Sequence, residues 1–411
     1  MSTAQKQLGI LSVPVIVGAL GFFVDIFDLL LFAIIRKPSL ASLGLSPEEV
    51  LSHGEIIISV QMIGLLIGGI LWGIMGDKKG RLSVLFGSII LYSLATIGNG
   101  MAQNVTQYTV LRFIAGLGLA GELGASITLV SEMLPTKKRG LATSVIAFFG
   151  VCGSLAAYLT YSIFQDWRLC YYIGGGMGLL LLFLRANVME SGLYAQVKKD
   201  KLPRGNFLML FATRERAWRY VKGVMIGVPV WYVIGLLITF SDKFGKELGI
   251  EGIDPGKAIL YQYGALAFGD VLAGLLSNYL KSRKKAWFSF FGIMCLFTIL
   301  YFLQGNGRGS VQSMYLICAG LGFGAGVSVL YITMSAEQFG TNLRASTAIS
   351  IPNVVRGVLP LILLLHKGLR SLTGDYLTGG WITGIIVMSL ACMAAYSTKE
   401  SFSKEMDFNE G

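Results

Sequence analysis

Long apolar segments recur along almost the whole chain and constrain its fold more than any other feature. Each is long enough to cross a lipid bilayer, which takes a helix of about 20 mostly apolar residues. Because hydrocarbon offers no water to backbone amides and carbonyls, each segment is expected to be helical. The twelve segments are 11–35, 55–76, 82–102, 106–133, 141–164, 169–189, 220–241, 257–280, 286–304, 310–336, 343–366 and 378–398. The sequence therefore predicts an all-α integral membrane protein with twelve transmembrane helices.

The charge content agrees with a body embedded in lipid. Only 14% of the 411 residues are charged, whereas a soluble domain carries about 25%. The net charge of +11 lies in short clusters between apolar segments, which argues against nucleic acid as a partner. Lys and Arg concentrate in "GDKKGR", "PTKKRG", 185–222, "KSRKK" and "GTNLR". We therefore expect these loops and both termini in the cytoplasm, with the first helix retained.

Residues suited to catalysis or metal binding are sparse. The five cysteines lie inside apolar segments without a CxxC pair, and His53 and His366 are the two histidines. This pattern predicts no metal site, no cofactor and no enzymatic activity. The short loops favour a bacterial inner membrane, and we expect the protein to be a monomer.

One long polar interruption divides the chain near its midpoint. The segment 190–219 separates two sets of six apolar segments, which predicts one six-helix bundle over 1–189 and another over 220–411.

The two halves share a sequence repeat. In "SEMLPTKKRG" Glu132 precedes Arg139 by seven residues, and in "SAEQFGTNLRA" Glu337 precedes Arg344 by seven. Duplicated halves related by an axis along the membrane normal recur in secondary transporters, which place the substrate near the midplane. The repeat therefore favours a transporter over a receptor or a structural protein.

The loop between the second and third segments carries a recognisable motif. "GIMGDKKGR" places Gly73, Asp77, Gly80 and Arg81 in the pattern G-x-x-x-D-(R/K)-x-G-(R/K). In this the chain resembles the major facilitator superfamily, which has that pattern in the same loop. The resemblance implies twelve helices in two bundles and transport by alternating access. It also implies a conformational gating role for these residues and for the repeated Glu and Arg pairs: Glu132, Arg139, Glu337 and Arg344.

Charged residues also lie inside the predicted helices. A charge at the bilayer centre costs about 2.5–3.5 kcal/mol on insertion scales, so these side chains are expected to face protein, water or one another. They are Asp25, Asp28, Arg112, Glu122, Asp270 and Arg356.

The acidic residues suggest proton coupling. Asp25 and Asp28 are three residues apart and share one helix face, where two carboxylates cannot both ionise cheaply. Arg112 begins "RFIAGLGLAG", which resembles a fourth-helix pattern of proton-driven members of the superfamily. Glu122 lies later in the same helix. It either takes part in proton coupling or is a structural partner of Arg112. Asp270 matches no clear motif.

The first helix adds a narrower resemblance. "GFFVDIFDLLLF" is similar to the G-F-F-x-D-x-Y-D helix of phosphate/proton symporters. That resemblance implies a site containing Asp25, Asp28, Glu122 and Trp231. Arg356 falls where that family has a lysine, and organic-anion members of the superfamily also place a cation in this region.

Two departures point away from phosphate itself. The family's Tyr-Pro is Leu123-Gly124 here, and its seventh-helix Asp is Gly235. We expect the freed space to admit a somewhat larger anion. Arg356 then binds the anion, unless it forms only a structural ion pair. The residues expected beside it are Trp231, Tyr232, Tyr331 and Asn353.

The sequence thus predicts proton-coupled symport of a small anionic metabolite. One alternative is a proton-coupled exporter of cations or drugs, since acids outnumber the buried arginines. The fifth helix lacks the Gly-Pro motif of drug antiporters, which disfavours it. The other alternative is a nutrient receptor or sensor that does not transport.

Overall fold

A computed structural model of the protein describes residues 13–79, 81–133, 136–190, 207–305 and 307–402. These residues are mainly helical and contain no strand. The chain divides into two compact units, Met1–Asn206 and Phe207–Gly411. The second unit begins with a 3₁₀ turn, Phe207–Phe211, inside the segment predicted as a linker.

The first unit contains six long helices in its described ranges. The amide and hydroxyl of Ser46 each donate to the Glu49 carboxylate at 2.8 Å, which caps the start of the second helix. The helices are α1 (Val13–Ser42), α2 (Pro47–Lys79), α3 (Arg81–Met101), α4 (Val105–Met133), α5 (Thr136–Phe164) and α6 (Trp167–Glu190).

The second unit contains shorter helices as well as long ones. Polar caps fix several starts: Asp254 accepts from the Gly256 amide, and Ser310 forms a capping box with Ser313. The helices are α7 (Arg214–Trp231), α8 (Ser241–Glu247), α9 (Pro255–Tyr279), α10 (Arg283–Phe302), α11 (Val311–Gly324), α12 (Val327–Ala336), α13 (Thr341–Gly357), α14 (Leu359–Thr373) and α15 (Tyr376–Ser397).

Glycines let helices approach each other in the same way in both units. A Cβ on Gly116 of α4 would collide with the Gln61 carbonyl of α2. A Cβ on Gly322 of α11 would collide with the Gln262 carbonyl of α9. Small residues allow such close backbone contact between membrane helices. This equivalence extends the repeat seen in the sequence to the packing of the helices.

Three segments predicted as continuous helices are interrupted. The segment 220–241 contains α7 and then a π-helix, Tyr232–Ile238, that follows Pro229. The segment 310–336 breaks between α11 and α12, and 343–366 breaks between α13 and α14. Proline lacks a backbone donor, and glycine is a poor helix former, so Pro229 and Gly326 explain the first two breaks. Pro360 at the start of α14 explains the third.

Apolar composition supports several membrane crossings. Within the described ranges, nine helical stretches are long and apolar enough to span a bilayer. Their presence agrees with the predicted all-α, multi-pass membrane fold. The total of twelve stays a prediction, because the segments 106–133, 141–164 and 343–366 are not among the nine. The predicted boundaries of the two bundles likewise stay predictions.

Candidate functional site

An ion pair between Asp28 on α1 and Arg112 on α4 is fully buried in the first unit. Arg112 Nη1 donates to both Asp28 carboxylate oxygens at 3.3 Å, and Nη2 donates to the Asp28 backbone carbonyl at 3.1 Å. The side chains are 1% and 0% exposed. The two predicted residues therefore lie together, joining two helices.

Uncharged side chains complete this pair. The Thr96 hydroxyl on α3 donates to Asp28 Oδ1 at 2.9 Å. Arg112 Cζ lies 5.6 Å from the centroid of the Tyr171 ring. The Tyr171 hydroxyl lies 2.6 Å from the hydroxyl of Tyr108, which contributes a second aromatic ring to the same network. Sequence reasoning missed these three residues, since Thr and Tyr are ordinary components of membrane helices and no motif distinguishes them here.

Glu122 on α4 is held by Arg185 on α6. Arg185 Nη1 donates to Glu122 Oε2 at 2.8 Å, and Nη2 contacts Oε1, so the guanidinium is bidentate. The sequence suggested Arg112 as a structural partner of Glu122, whereas these contacts pair Glu122 with Arg185. Sequence reasoning assigned Arg185 to the positive loop that follows the sixth helix. Its position inside the apolar segment 169–189 was the signal that could have identified it.

The second ion pair lies against α1. A Cβ on Gly21 would collide with the Glu122 carboxylate and the Arg185 guanidinium. Asp25, which is buried, follows Gly21 by four residues and therefore lies about one helical turn along the same face. The three predicted acids are therefore close together: Asp25 and Asp28 lie on one short stretch of α1, and Glu122 of α4 lies against it.

The acids of this cluster outnumber its cations. Asp25, Asp28 and Glu122 are carboxylates, and Arg112 and Arg185 are guanidiniums; all five side chains are at most 4% exposed. The other buried charged side chains described in this unit are one cation and one anion, Arg36 and Glu55. The buried groups therefore carry one negative charge when all are ionised. We refer to the five residues as the α1 charge cluster.

In the second unit Arg356 lies on α13 beside two of the residues predicted to bind substrate. Asn353 precedes it by three residues on the same helix, and both are buried. A Cβ on Gly227 of α7 would lie 2.9 Å from both the Tyr331 ring of α12 and the Val355 side chain of α13. Tyr331 is 4% exposed and therefore packs close to the helix that carries Arg356 and Asn353.

Asp270, whose role the sequence left open, supports the start of α12. The Ser328 hydroxyl donates to Asp270 Oδ1 at 2.6 Å, and the Val329 amide also bonds the carboxylate. Both donors belong to the first turn of α12, where free amides favour an anion. Tyr331 follows Ser328 by three residues on α12. By binding the start of this short helix, Asp270 also holds Tyr331 in position.

Two other residues predicted to bind substrate have different surroundings. The Tyr232 hydroxyl donates to the Gly380 carbonyl of α15 at 3.0 Å, so we assign Tyr232 to helix packing. Trp231 is buried at the end of α7. The space expected at Gly235 is filled, because a Cβ there would collide with Leu359. The expectation of free volume at position 235 is therefore wrong.

The predicted gating residues are described only in part. Glu337 pairs with Arg283 at 3.1 Å, and the Ser401 hydroxyl donates to it at 2.6 Å. Gly80 lies outside the described residues. For the other predicted gating residues the structure describes the backbone but not the surroundings of the side chain. They are Gly73, Asp77, Arg81, Glu132, Arg139 and Arg344.

Comparisons with known proteins agree over most of the chain. The family model described as "Major Facilitator Superfamily" matches residues 18–363. The "Cis,cis-muconate transport protein" of Acinetobacter baylyi is 25% identical over 403 residues, covering 95% of this chain and 94% of the relative. The "Benzoate transport protein" of the same organism is 24% identical over 367 residues, covering 81% and 78%.

Solved structures show the same fold. The crystal structure of a D-xylose-proton symporter aligns with a TM-score of 0.68 and 18% identity, covering 95% of this chain and 98% of that one. At this identity the likeness establishes the architecture of the helices.

Proposed function

The chain belongs to the Major Facilitator Superfamily and is a multi-pass membrane transporter, not an enzyme, and on that premise we propose that it carries a small organic anion together with a proton. The α1 charge cluster binds the proton, and the group around Arg356 binds the anion. Alternating access then exposes both to the opposite side of the membrane.

The observation that carries the proposal is the imbalance of charge in the α1 charge cluster. Three carboxylates face two guanidiniums, and none of these side chains is more than 4% exposed. Net charge in a buried, lipid-surrounded site is costly, and one bound proton brings the charge of these five groups to zero. The cluster is therefore suited to take up a single proton.

The proposed anion is a carboxylate. The guanidinium fork of Arg356 matches a carboxylate with two parallel hydrogen bonds, and arginine stays protonated in proteins. The amide of Asn353 and the hydroxyl of Tyr331 supply further donors. Muconate and benzoate, in the names of the two relatives, are carboxylates. This chemistry favours an organic acid over inorganic phosphate.

Proton binding and transport are linked through the Asp28–Arg112 pair. Protonation of Asp28 removes the charge that holds Arg112 at 3.3 Å and weakens the connection between α1 and α4. A proton that favours one conformation, and an anion that favours the same one, increase each other's affinity by the same factor. This reciprocity is the basis of symport in the proposal.

The test is uptake into proteoliposomes with an imposed pH gradient. The probes are labelled cis,cis-muconate and benzoate, with inorganic phosphate and an organic cation as competitors. We expect the wild type to accumulate muconate only when the pH gradient is present. Asp28→Asn and Arg356→Ala should lose this accumulation, and Arg356→Lys should keep part of it. Full accumulation in Asp28→Asn contradicts the proton role. Competition by the cation but not by the anions favours the exporter alternative.

A further inference from the structure

Tyr92, in the middle of α3, has a hydroxyl that is buried without a hydrogen-bond partner. The side chain is 0% exposed. Among the described residues, its oxygen has no hydrogen-bond partner. Buried polar groups are hydrogen-bonded in the great majority of cases, so each exception calls for an explanation. Phenylalanine would fill the same space without the unpaired oxygen.

The fold brings Tyr92 against three other helices. Gly118 on α4 lies against the Tyr92 backbone, and a Cβ on Gly178 of α6 would lie 2.9 Å from the Tyr92 hydroxyl oxygen. Val17 and Val24 of α1 belong to the same apolar cluster as Tyr92. The ring therefore passes between helices at two glycines, and its environment excludes bulk water.

Helix spacing places the α1 charge cluster beside this residue. Glu122 follows Gly118 by four residues and Arg185 follows Gly178 by seven, so both lie on the helix faces that meet Tyr92. Gly21, which lies against Glu122 and Arg185, falls between Val17 and Val24 on α1. One neutral group that both donates and accepts a hydrogen bond thus lies among both acids of α1 and the acid of α4.

We propose that Tyr92 transfers the proton between the α1 acids and Glu122. The inference rests on the proposed proton coupling and deepens it, because it assigns the path by which the cluster loads and releases its proton. Tyr92 then connects the Asp28–Arg112 pair to the Glu122–Arg185 pair.

The transfer leaves the tyrosine unchanged. The carboxyl O–H bond of a protonated Asp25 or Asp28 breaks, and its proton passes through an intervening water to the phenol oxygen. In the same event the phenol O–H bond breaks, and that proton passes to the Glu122 carboxylate through a second water. Tyr92 is neutral before and after, one acid has become a carboxylate, and Glu122 has become a carboxylic acid. Its ion pair with Arg185 is thereby weakened.

A transfer role and a packing role predict opposite effects of Tyr92→Phe. Removing a hydroxyl that has no partner leaves no other group unsatisfied, so stability is expected to be unchanged or higher. Loss of a positioned proton-transfer group slows the step by about 100-fold or more. The variant is therefore expected to be well folded but defective in proton coupling.

Tyr301→Phe is the matched control. The Tyr301 hydroxyl is equally buried but donates to the Leu237 carbonyl at 2.8 Å, and both residues belong to the second unit. Removing it takes a donor from that carbonyl. We expect this variant to unfold at a lower temperature and to retain uptake driven by the pH gradient.

The experiment measures two rates with labelled cis,cis-muconate in proteoliposomes. One is the initial rate of uptake driven by a pH gradient; the other is exchange against unlabelled muconate at equal pH, which needs no net proton release. For Tyr92→Phe we expect the driven rate to fall by about 100-fold and the exchange rate to match wild type.

Three results overturn the inference. Driven uptake at the wild-type rate in Tyr92→Phe contradicts it while leaving the proposed function intact. Equal loss of exchange and driven uptake contradicts it too, since that result indicates a structural or substrate-binding role. Absence of gradient-driven uptake in the wild type overturns the proposed function, and the assignment of Tyr92 with it.

Discussion

Arg185 on α6 binds both carboxylate oxygens of Glu122 on α4, and the two side chains are 4% and 0% exposed. Removing one partner of a buried ion pair leaves an uncompensated charge, which costs about 3–5 kcal/mol. We expect Arg185→Gln to lower the midpoint of thermal unfolding in detergent. Glu122→Gln combined with Arg185→Gln should recover most of that loss. Additive losses in the double variant would contradict a direct pair.

Gly21 provides a steric test of the same pair. A Cβ at this position would collide with both charged groups, so Gly21→Ala is expected to lower the unfolding midpoint and the transport rate. Gly176 on α6 is the control, because a Cβ there would meet nothing within 4 Å. Gly176→Ala should be neutral or stabilising by up to about 1 kcal/mol, the difference in helix propensity. Equal effects of the two substitutions would argue that the pair does not lie against α1.

Asp270 gives a prediction about the substrate group of the second unit. Asp270→Asn keeps a hydrogen-bond acceptor for the Ser328 hydroxyl and the Val329 amide. Asp270→Ala removes the acceptor and leaves both donors of α12 without this partner. We expect Asp270→Ala to raise the KM for muconate by about tenfold, equivalent to about 1.4 kcal/mol, through displacement of Tyr331. Asp270→Asn should change the KM much less. The comparison is made by initial-rate uptake over a range of muconate concentrations.

Ser328→Ala is the complementary variant, because it removes one of the two donors to Asp270. An increase in KM smaller than that of Asp270→Ala is expected. An unchanged KM in both variants would exclude a positioning role for Asp270.

The C-terminal segment makes stability depend on pH. Burial raises the pKa of Glu400, but hydrogen bonds from Ser282 and from the amides of Phe402, Arg283 and Lys284 outweigh it, so the pKa lies below its ordinary value of 4.5. A carboxyl with a lowered pKa stabilises the fold above its unfolded pKa, and this contribution is lost as pH falls through the folded pKa. The wild type should therefore lose stability as pH falls below about 4.5.

Glu400→Gln tests this dependence. Its unfolding midpoint should be lower than that of the wild type at pH 7 and should fall less between pH 5 and more acidic conditions. Glu215→Gln, at a side chain that is 81% exposed, removes the same charge without this effect. Parallel curves for wild type and Glu400→Gln would contradict the assignment.

The sequence predicted the elements of the fold and several charged residues of the site, but not how the charges pair. Apolar segments located the helices because hydrocarbon imposes a length and a composition. Asp25, Asp28, Arg112 and Glu122 were identifiable because charge is costly in lipid. The partner of Glu122 was not, since Arg185 lies close to a positive loop and charge count alone cannot place a side chain.

Uncharged residues and helix breaks were harder to predict. Thr96 and Tyr92 acquire their roles only from the helices that pack around them, so no local pattern marks them. The break at Gly326 depends on α9: the Gly269 backbone lies where a Cβ would be, and Asp270 binds the next turn. Such tertiary contacts override the apolar pattern, which predicts one continuous helix over 310–336.

Proton movement with the anion is the most direct test of the central claim. Proteoliposomes that contain a pH-sensitive dye in weak buffer receive cis,cis-muconate from outside, and protein-free liposomes correct for passive entry. The account predicts that the lumen acidifies as muconate enters the wild type, and that Asp28→Asn shows neither effect. Muconate entry through the wild-type protein with no change in luminal pH would contradict it.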